Sequence, residues 1–115
     1  MRRGEIRLVD FEPVRGAEAD KRRPAVIVSN DGANSAAQRL NRGVITVVPV
    51  SSNLANVYPF QVLLTAGTTG LRFDSKAQAE QIRSVAVERV GERAGGLTPE
   101  TLDALDEALR LHLAL

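Results

Sequence analysis

Apolar residues recur at two different spacings along this chain, and the change of spacing predicts its elements. Glu5 to Phe11 alternates polar and apolar positions, with a shift near Leu8-Val9, which predicts a strand with one buried face. Pro24 to Ser29 (PAVIVS) and Gly43 to Val50 (GVITVVPV) are instead near-continuous β-branched runs, the pattern of strands covered on both sides. Pro49 marks a strand margin or bulge. Phe60 to Leu64 after Pro59, Leu71 to Ser75, and Ile82 to Val87 supply three more short strands. Between them, Asn30-Asp31-Gly32 and Ala66 to Gly70 read as turns, Ala33 to Leu40 as a short helix, and Gly95-Gly96 as a hinge or turn. The residues from Pro13 through Gly16 to Lys21 form a loop too long for a tight hairpin.

From Thr98 the period becomes helical. Thr98 is a good N-cap, Pro99 suits the first helical position, and Glu100 and Asp103 complement the positive end of the helix dipole. Leu102, Leu105, Leu109 and Leu113, with Ala108 between them, form one apolar stripe expected to seal a core. Five to seven short strands and one terminal helix predict a mainly β (α+β) fold, a small antiparallel SH3-like barrel with a C-terminal α-helix. At 115 residues the whole chain, 1–115, is expected to be a single domain.

Composition narrows the chemistry. With no cysteine, disulfides and thiolate nucleophiles are excluded. The apolar runs are too short to span a bilayer, and Met1-Arg2-Arg3-Gly4-Glu5 leads into no signal-like apolar region, so the expected compartment is the cytoplasm and no membrane partner is expected. The net charge is +1, yet Thr98 to Leu115 holds four acids and one arginine, a net of −3 that leaves +4 on Met1 to Leu97. Such an excess permits a nucleic-acid partner without demanding one. Only Phe11, Phe60, Phe73 and Tyr58 are aromatic, so contacts to the phosphodiester backbone are favoured over stacking as the means of holding a single strand.

His112 is the only histidine, which rules out mechanisms needing two and most metal-ligand sets; no metal or cofactor is expected. Its place near a helix C-terminus suits a solvated residue. The remaining candidates are polar side chains at strand ends and in adjoining loops: Glu18, Arg22, Arg23, Ser51, Ser52, Asn53, Arg72, Asp74, Gln81 and Arg83. In Lys21-Arg22-Arg23-Pro24 the proline biases Arg23 towards extended geometry, at the exposed end of a strand that buries Val26 and Val28. Guanidinium groups engage phosphate oxygens bidentately, hydroxyls donate to the same phosphate, and carboxylates are the ordinary general bases present.

In these segments the sequence resembles the MazF/PemK (Kid) toxins of bacterial toxin–antitoxin systems. The similar stretches are Arg3-Gly4-Glu5-Ile6, Val9-Asp10-Phe11-Glu12-Pro13, Gly16-Ala17-Glu18, Arg23 to Ser29, and Val48-Pro49-Val50-Ser51-Ser52-Asn53. Tyr58 to Leu64, Asp74-Ser75 and Glu80-Gln81-Ile82-Arg83-Ser84 continue the likeness in order. The resemblance implies a homodimeric CcdB/MazF-type barrel that cleaves single-stranded RNA without a metal and is neutralised by a cognate, MazE-like antitoxin peptide. It assigns the family's catalytic arginine to Arg23 and its threonine to Ser51, where the hydroxyl is kept and the rotamer-restraining methyl is lost. Glu18 matches a loop glutamate of some members, and Arg72-Phe73-Asp74 matches the Arg-x-Asp of the Kid branch, whose first-loop histidine has no counterpart.

The implied mechanism is attack of a ribose 2′-OH on the adjacent phosphate, giving a 2′,3′-cyclic phosphate and a free 5′-OH. Arg23 stays protonated and would stabilise the charged phosphorane, Ser51 would donate to a phosphate oxygen, and Glu18 or Asp74 would accept the proton. Arg22, Ser52, Asn53, Arg72, Gln81 and Arg83 are the candidate RNA-binding residues. Leu111, Leu115 and Val57 are apolar residues left over for a dimer contact. Two rivals share the fold: a gyrase-binding toxin without catalysis and a non-catalytic RNA-binding barrel.

Overall fold

The computed structural model describes residues 1–11 and 22–115. Among these residues seven strands carry the fold: β1 (Glu5–Val9), β2 (Arg23–Ile27), β3 (Val44–Ser51), β4 (Gln61–Leu64), β5 (Ser75–Gln78), β6 (Arg83–Ala86) and β7 (Val90–Gly96). Three helices interrupt or close them: α1 (Asp31–Leu40), α2 (Ala66–Thr69) and α3 (Pro99–Leu113). The strands run in the order β4-β5-β3-β2-β1-β7, with β6 also paired to β3, and every pairing is antiparallel. This is the expected SH3-like antiparallel barrel with a C-terminal helix.

The β-branched runs are buried on both faces. Val26, Val28, Val48 and Val50 point into a core with Ile6, Leu64 and, from α3, Leu105, Ala108 and Leu109. Their sequence neighbours Ala25, Ile27, Ile45 and Val47 pack on the other face with Val9, Val85, Val87 and Ala37 of α1. A strand covered on both sides has no polar face to show, so its sequence cannot alternate. The broken alternation at Leu8-Val9 has its own cause: β1 slips register against β7 between Arg7 and Val9, a bulge that re-aims the side chains.

Polar staples fix the covering elements. Asn34, fully buried on α1, donates through Nδ2 to the Ser29 carbonyl at 2.8 Å and accepts from Ser29 Oγ, which itself accepts from the Thr46 backbone N–H. Arg3 reaches from the N-terminus to Asp106 of α3, with Nη2 to Oδ1 at 2.6 Å, while its Nε donates to the Val28 carbonyl. Near β1, burial alone would raise the Glu5 carboxyl, but the Arg2 backbone N–H, the Arg7 guanidinium and the N-terminal ammonium outweigh it and hold the group below its ordinary 4.5.

Four expectations are corrected. Asn30-Asp31-Gly32 is no free turn: the Asn30 side chain accepts from the Ala33 N–H as an N-cap, so Asp31 and Gly32 begin α1. Leu71 to Asp74 is a bend, and the strand begins at Ser75, because Gly70 (φ 83°) turns the chain just before it. Gly95 and Gly96 end strand β7 instead of forming a hinge. A Cβ on Gly95 would stand 2.4 Å from the Thr69 carbonyl oxygen, so glycine serves close packing against α2. Leu113 lies outside the stripe that α3 buries and is exposed, as the helix runs past the edge of the core.

Candidate active site

The cleft follows from strand register. β2 and β3 pair Ile27 with Val47, Val26 with Val48 and Ala25 with Pro49, and extending that ladder by two residues brings Arg23 level with Ser51. Pro24 donates no ladder hydrogen bond, as befits a strand end. These two termini, with Pro24, Val50 and Ser52, form one wall of a cleft of about 540 Å³ whose lining also takes in Gly70, Leu71, Arg72, Phe73 and Ser75, together with Leu8 and Ala94.

On the first wall, Ser51 Oγ accepts from the Asn53 backbone N–H at 3.1 Å, which orients the hydroxyl and leaves its own proton to donate. Asn53 Oδ1 accepts in turn from the Ala55 N–H, so this side chain shapes the loop. Further along that loop, Lys76, paired with Ser51 across β3 and β5 and only 7% exposed, donates from Nζ to the Asn56 carbonyl at 2.6 Å. Gln61 accepts from the Tyr58 N–H and donates to Glu80, whose other carboxylate oxygen is buried without a partner among the described residues. The segment after Ser51 is thus held at two points by buried polar groups.

The second wall is a bend fixed by side chains. Asp74 Oδ1 accepts from the Ala66 backbone N–H at 2.8 Å, Ser75 Oγ donates to the Phe73 carbonyl at 2.9 Å, and the Leu71 N–H donates to Thr69 Oγ1. The Arg72 guanidinium lies over the Phe73 ring, 5.5 Å from its centroid.

Of the residues singled out in the sequence, Arg23, Ser51, Ser52 and Arg72 line the cleft together. Asp74 does not line it, and one of its oxygens is engaged at Ala66. The Arg22 Nη1 packs close to Gly91 of β7, where an added Cβ would approach it to 3.3 Å. Arg83 sits over the Phe11 ring at 5.1 Å, and Gln81 is exposed at the end of a short 3₁₀ turn; neither reaches the cleft lining. Glu18, with Lys21, falls outside the described residues. The only histidine, His112, is exposed at the end of α3. Phe73 is among the lining residues that the sequence does not announce, since a strand over Leu71 to Ser75 gives no reason to expect it at an open site. Among the described lining residues two guanidiniums stand with no carboxylate, an electropositive cleft with a hydroxyl donor, suited to an anionic phosphate.

An antiparallel barrel with a terminal helix and such a cleft defines a class, and comparison with known proteins identifies it. Residues 2–113 match the family described as PemK-like, MazF-like toxin of type II toxin-antitoxin system, and the chain belongs to that family. It is 65% identical to "Endoribonuclease MazF9" of Mycobacterium tuberculosis, over all of this chain and 98% of the relative. It is 31% identical to "Endoribonuclease EndoA" of Bacillus subtilis, over all of this chain and 96% of that one. Among solved structures, a MazE-MazF crystal structure from Deinococcus radiodurans superposes with a TM-score of 0.76 at 25% identity, covering all of this chain and 97% of the other. Among the described residues no helix is long and apolar enough to cross a membrane, and no three His, Asp or Glu residues stand together as a metal-binding group.

Proposed function

We propose that this protein is a toxin endoribonuclease that cuts single-stranded RNA at short specific sequences, without a metal, through the cleft between Arg23 and Phe73. The observation that carries the reading is the convergence of Arg23, Ser51, Ser52 and Arg72 on one electropositive cleft, in a chain 65% identical to a protein named as an endoribonuclease. The ribose 2′-OH attacks the adjacent phosphorus and the 5′-oxygen leaves, giving a 2′,3′-cyclic phosphate and a 5′-OH. Arg23 neutralises the charge that builds on the phosphorane, and Ser51 donates its hydroxyl proton to a non-bridging oxygen. For acceptance of the 2′ proton we favour Glu18 over Asp74, because Asp74 does not line the cleft.

Family membership supports neutralisation by a cognate MazE-like antitoxin, and the MazE-MazF relative supports the same partner. We assign the active form as a homodimer: Val57, Leu111 and Leu115 are 44%, 58% and 85% exposed on this chain, apolar surface that a second copy would cover. Sedimentation at micromolar concentration should give a dimer, and a monomer would contradict it.

The test is to incubate the purified protein with a long RNA in EDTA and characterise the new ends. Cuts confined to a short sequence, leaving 5′-OH and cyclic-phosphate ends, are expected. Products with 5′-phosphates, or cutting that needs an added divalent ion, would overturn the mechanism. Salt-sensitive binding with no products would favour a non-catalytic RNA-binding barrel.

A further inference from the structure

Phe73 is 63% exposed, more than any other large apolar residue among those described except the terminal Leu115. Of the exposed large apolar residues, it alone lines the cleft. Exposure of a phenyl ring costs solvation free energy, and single exposed apolar side chains are common on surfaces; its position and mounting distinguish this one. It stands on a bend fixed before it by the Leu71 N–H on Thr69 Oγ1, and after it by Asp74 on the Ala66 N–H and Ser75 Oγ on the Phe73 carbonyl. The Arg72 guanidinium over its ring places a cation beside a π-face in the same cleft as Arg23 and Ser51.

The geometry points to a nucleobase subsite formed by Phe73 and Arg72, which takes one base beside the scissile phosphate and contributes to the choice of cutting site; this rests on the RNA-cleaving reading above. The cleft chemistry argues for a base. Arg23 and Ser51 suit the phosphate, and a base attached to a neighbouring ribose needs a flat apolar partner within a few ångströms of that phosphate. Phe73 is the only aromatic residue among the described lining residues. The other aromatics do not line it: Tyr58 stacks on Phe60 with centroids 5.4 Å apart, and Phe11 lies beneath Arg83 away from the cleft lining. Overall binding would then draw on backbone contacts, as the low aromatic content implies, with stacking concentrated at one position.

The experiment uses the full chain and an RNA whose cut site has been mapped, with a single deoxyribose at the cut and 2-aminopurine placed in turn at each flanking position. Wild type should change the fluorescence strongly at one position. Phe73→Leu, apolar but without a π-face, should remove that change, weaken binding about tenfold and raise KM on the all-ribose RNA with little loss in kcat; Phe73→Trp should restore all three. Unchanged melting temperatures would exclude misfolding. If Phe73→Leu binds and cuts as wild type does, or if only antitoxin neutralisation suffers, the subsite is overturned while the nuclease stands. A wild-type protein that cuts no RNA would instead overturn the nuclease reading and the subsite with it.

Discussion

The two walls of the cleft are made in different ways. Arg23 and Ser51 stand at the ends of β2 and β3, whose register is fixed by residues buried on both faces, so their separation is set by the barrel core. Arg72 and Phe73 stand on a bend whose shape depends on three side-chain hydrogen bonds and on the contact of α2 with Gly95. A rigid wall suits the groups that stabilise a transition state, because misplacement there costs rate directly. A bend held by local contacts can vary in sequence without disturbing the core, which suits selection of a base.

Substitutions on each wall test that division. Arg23→Ala should lower the cleavage rate by about a hundredfold or more while leaving the melting temperature unchanged, since its side chain is exposed. Retained activity would shift the charge-stabilising role to Arg72. Ser51→Ala should cost roughly 10- to 100-fold in kcat, and Ser51→Thr should recover it; an alanine variant as active as wild type would remove the hydroxyl from the mechanism. On the other wall Gly95→Ala, driving a Cβ against the Thr69 carbonyl, should destabilise by about 1–3 kcal/mol in denaturant melts, and no change would mean the bend is not held from beneath. Asp74→Asn keeps an oxygen that can accept from Ala66 and should leave cleavage within about threefold. Loss of activity in that variant would restore Asp74 as the general base.

A smaller, pH-linked effect lies outside both walls. The Glu5 carboxyl titrates below its ordinary 4.5 when folded, so its contribution is present above that pH and is lost as pH falls through the folded value. Melting temperatures of wild type and Glu5→Gln should therefore differ at neutral pH and converge on acidification. A gap that widens in acid would have the wrong sign.

The same division explains what could be read from sequence. β2, β3 and α3 are driven by burial, which leaves β-branched runs and a leucine stripe in the chain, and Arg23 and Ser51 are located by where those runs stop. The second wall left no such trace. β5 reads Ser-Lys-Ala-Gln yet buries Ser75, Lys76 and Ala77: Ala77 enters the core, and Lys76 is covered with its ammonium satisfied on the Asn56 carbonyl. Leu71-Arg72-Phe73 looked like a strand because a bend that presents an aromatic ring to a cleft has the same composition as a strand that buries one. β7 carries one β-branched residue, Val90, and has glycine at 91 and 95 where the Leu8 and Thr69 carbonyls come close. Gln81 and Arg83 do not line the cleft, whereas Asn53 meets it through its backbone, whose N–H holds Ser51 Oγ.

The most direct measurement compares single-turnover cleavage of one RNA in EDTA with that of the same RNA carrying a single 2′-deoxyribose on the 5′ side of the mapped cut. With the 2′-OH as nucleophile, the all-ribose strand is cut and the substituted strand stays intact at that site. Cutting of the substituted strand at the same position would contradict the assignment of Arg23 and Ser51 to a cyclising transesterification.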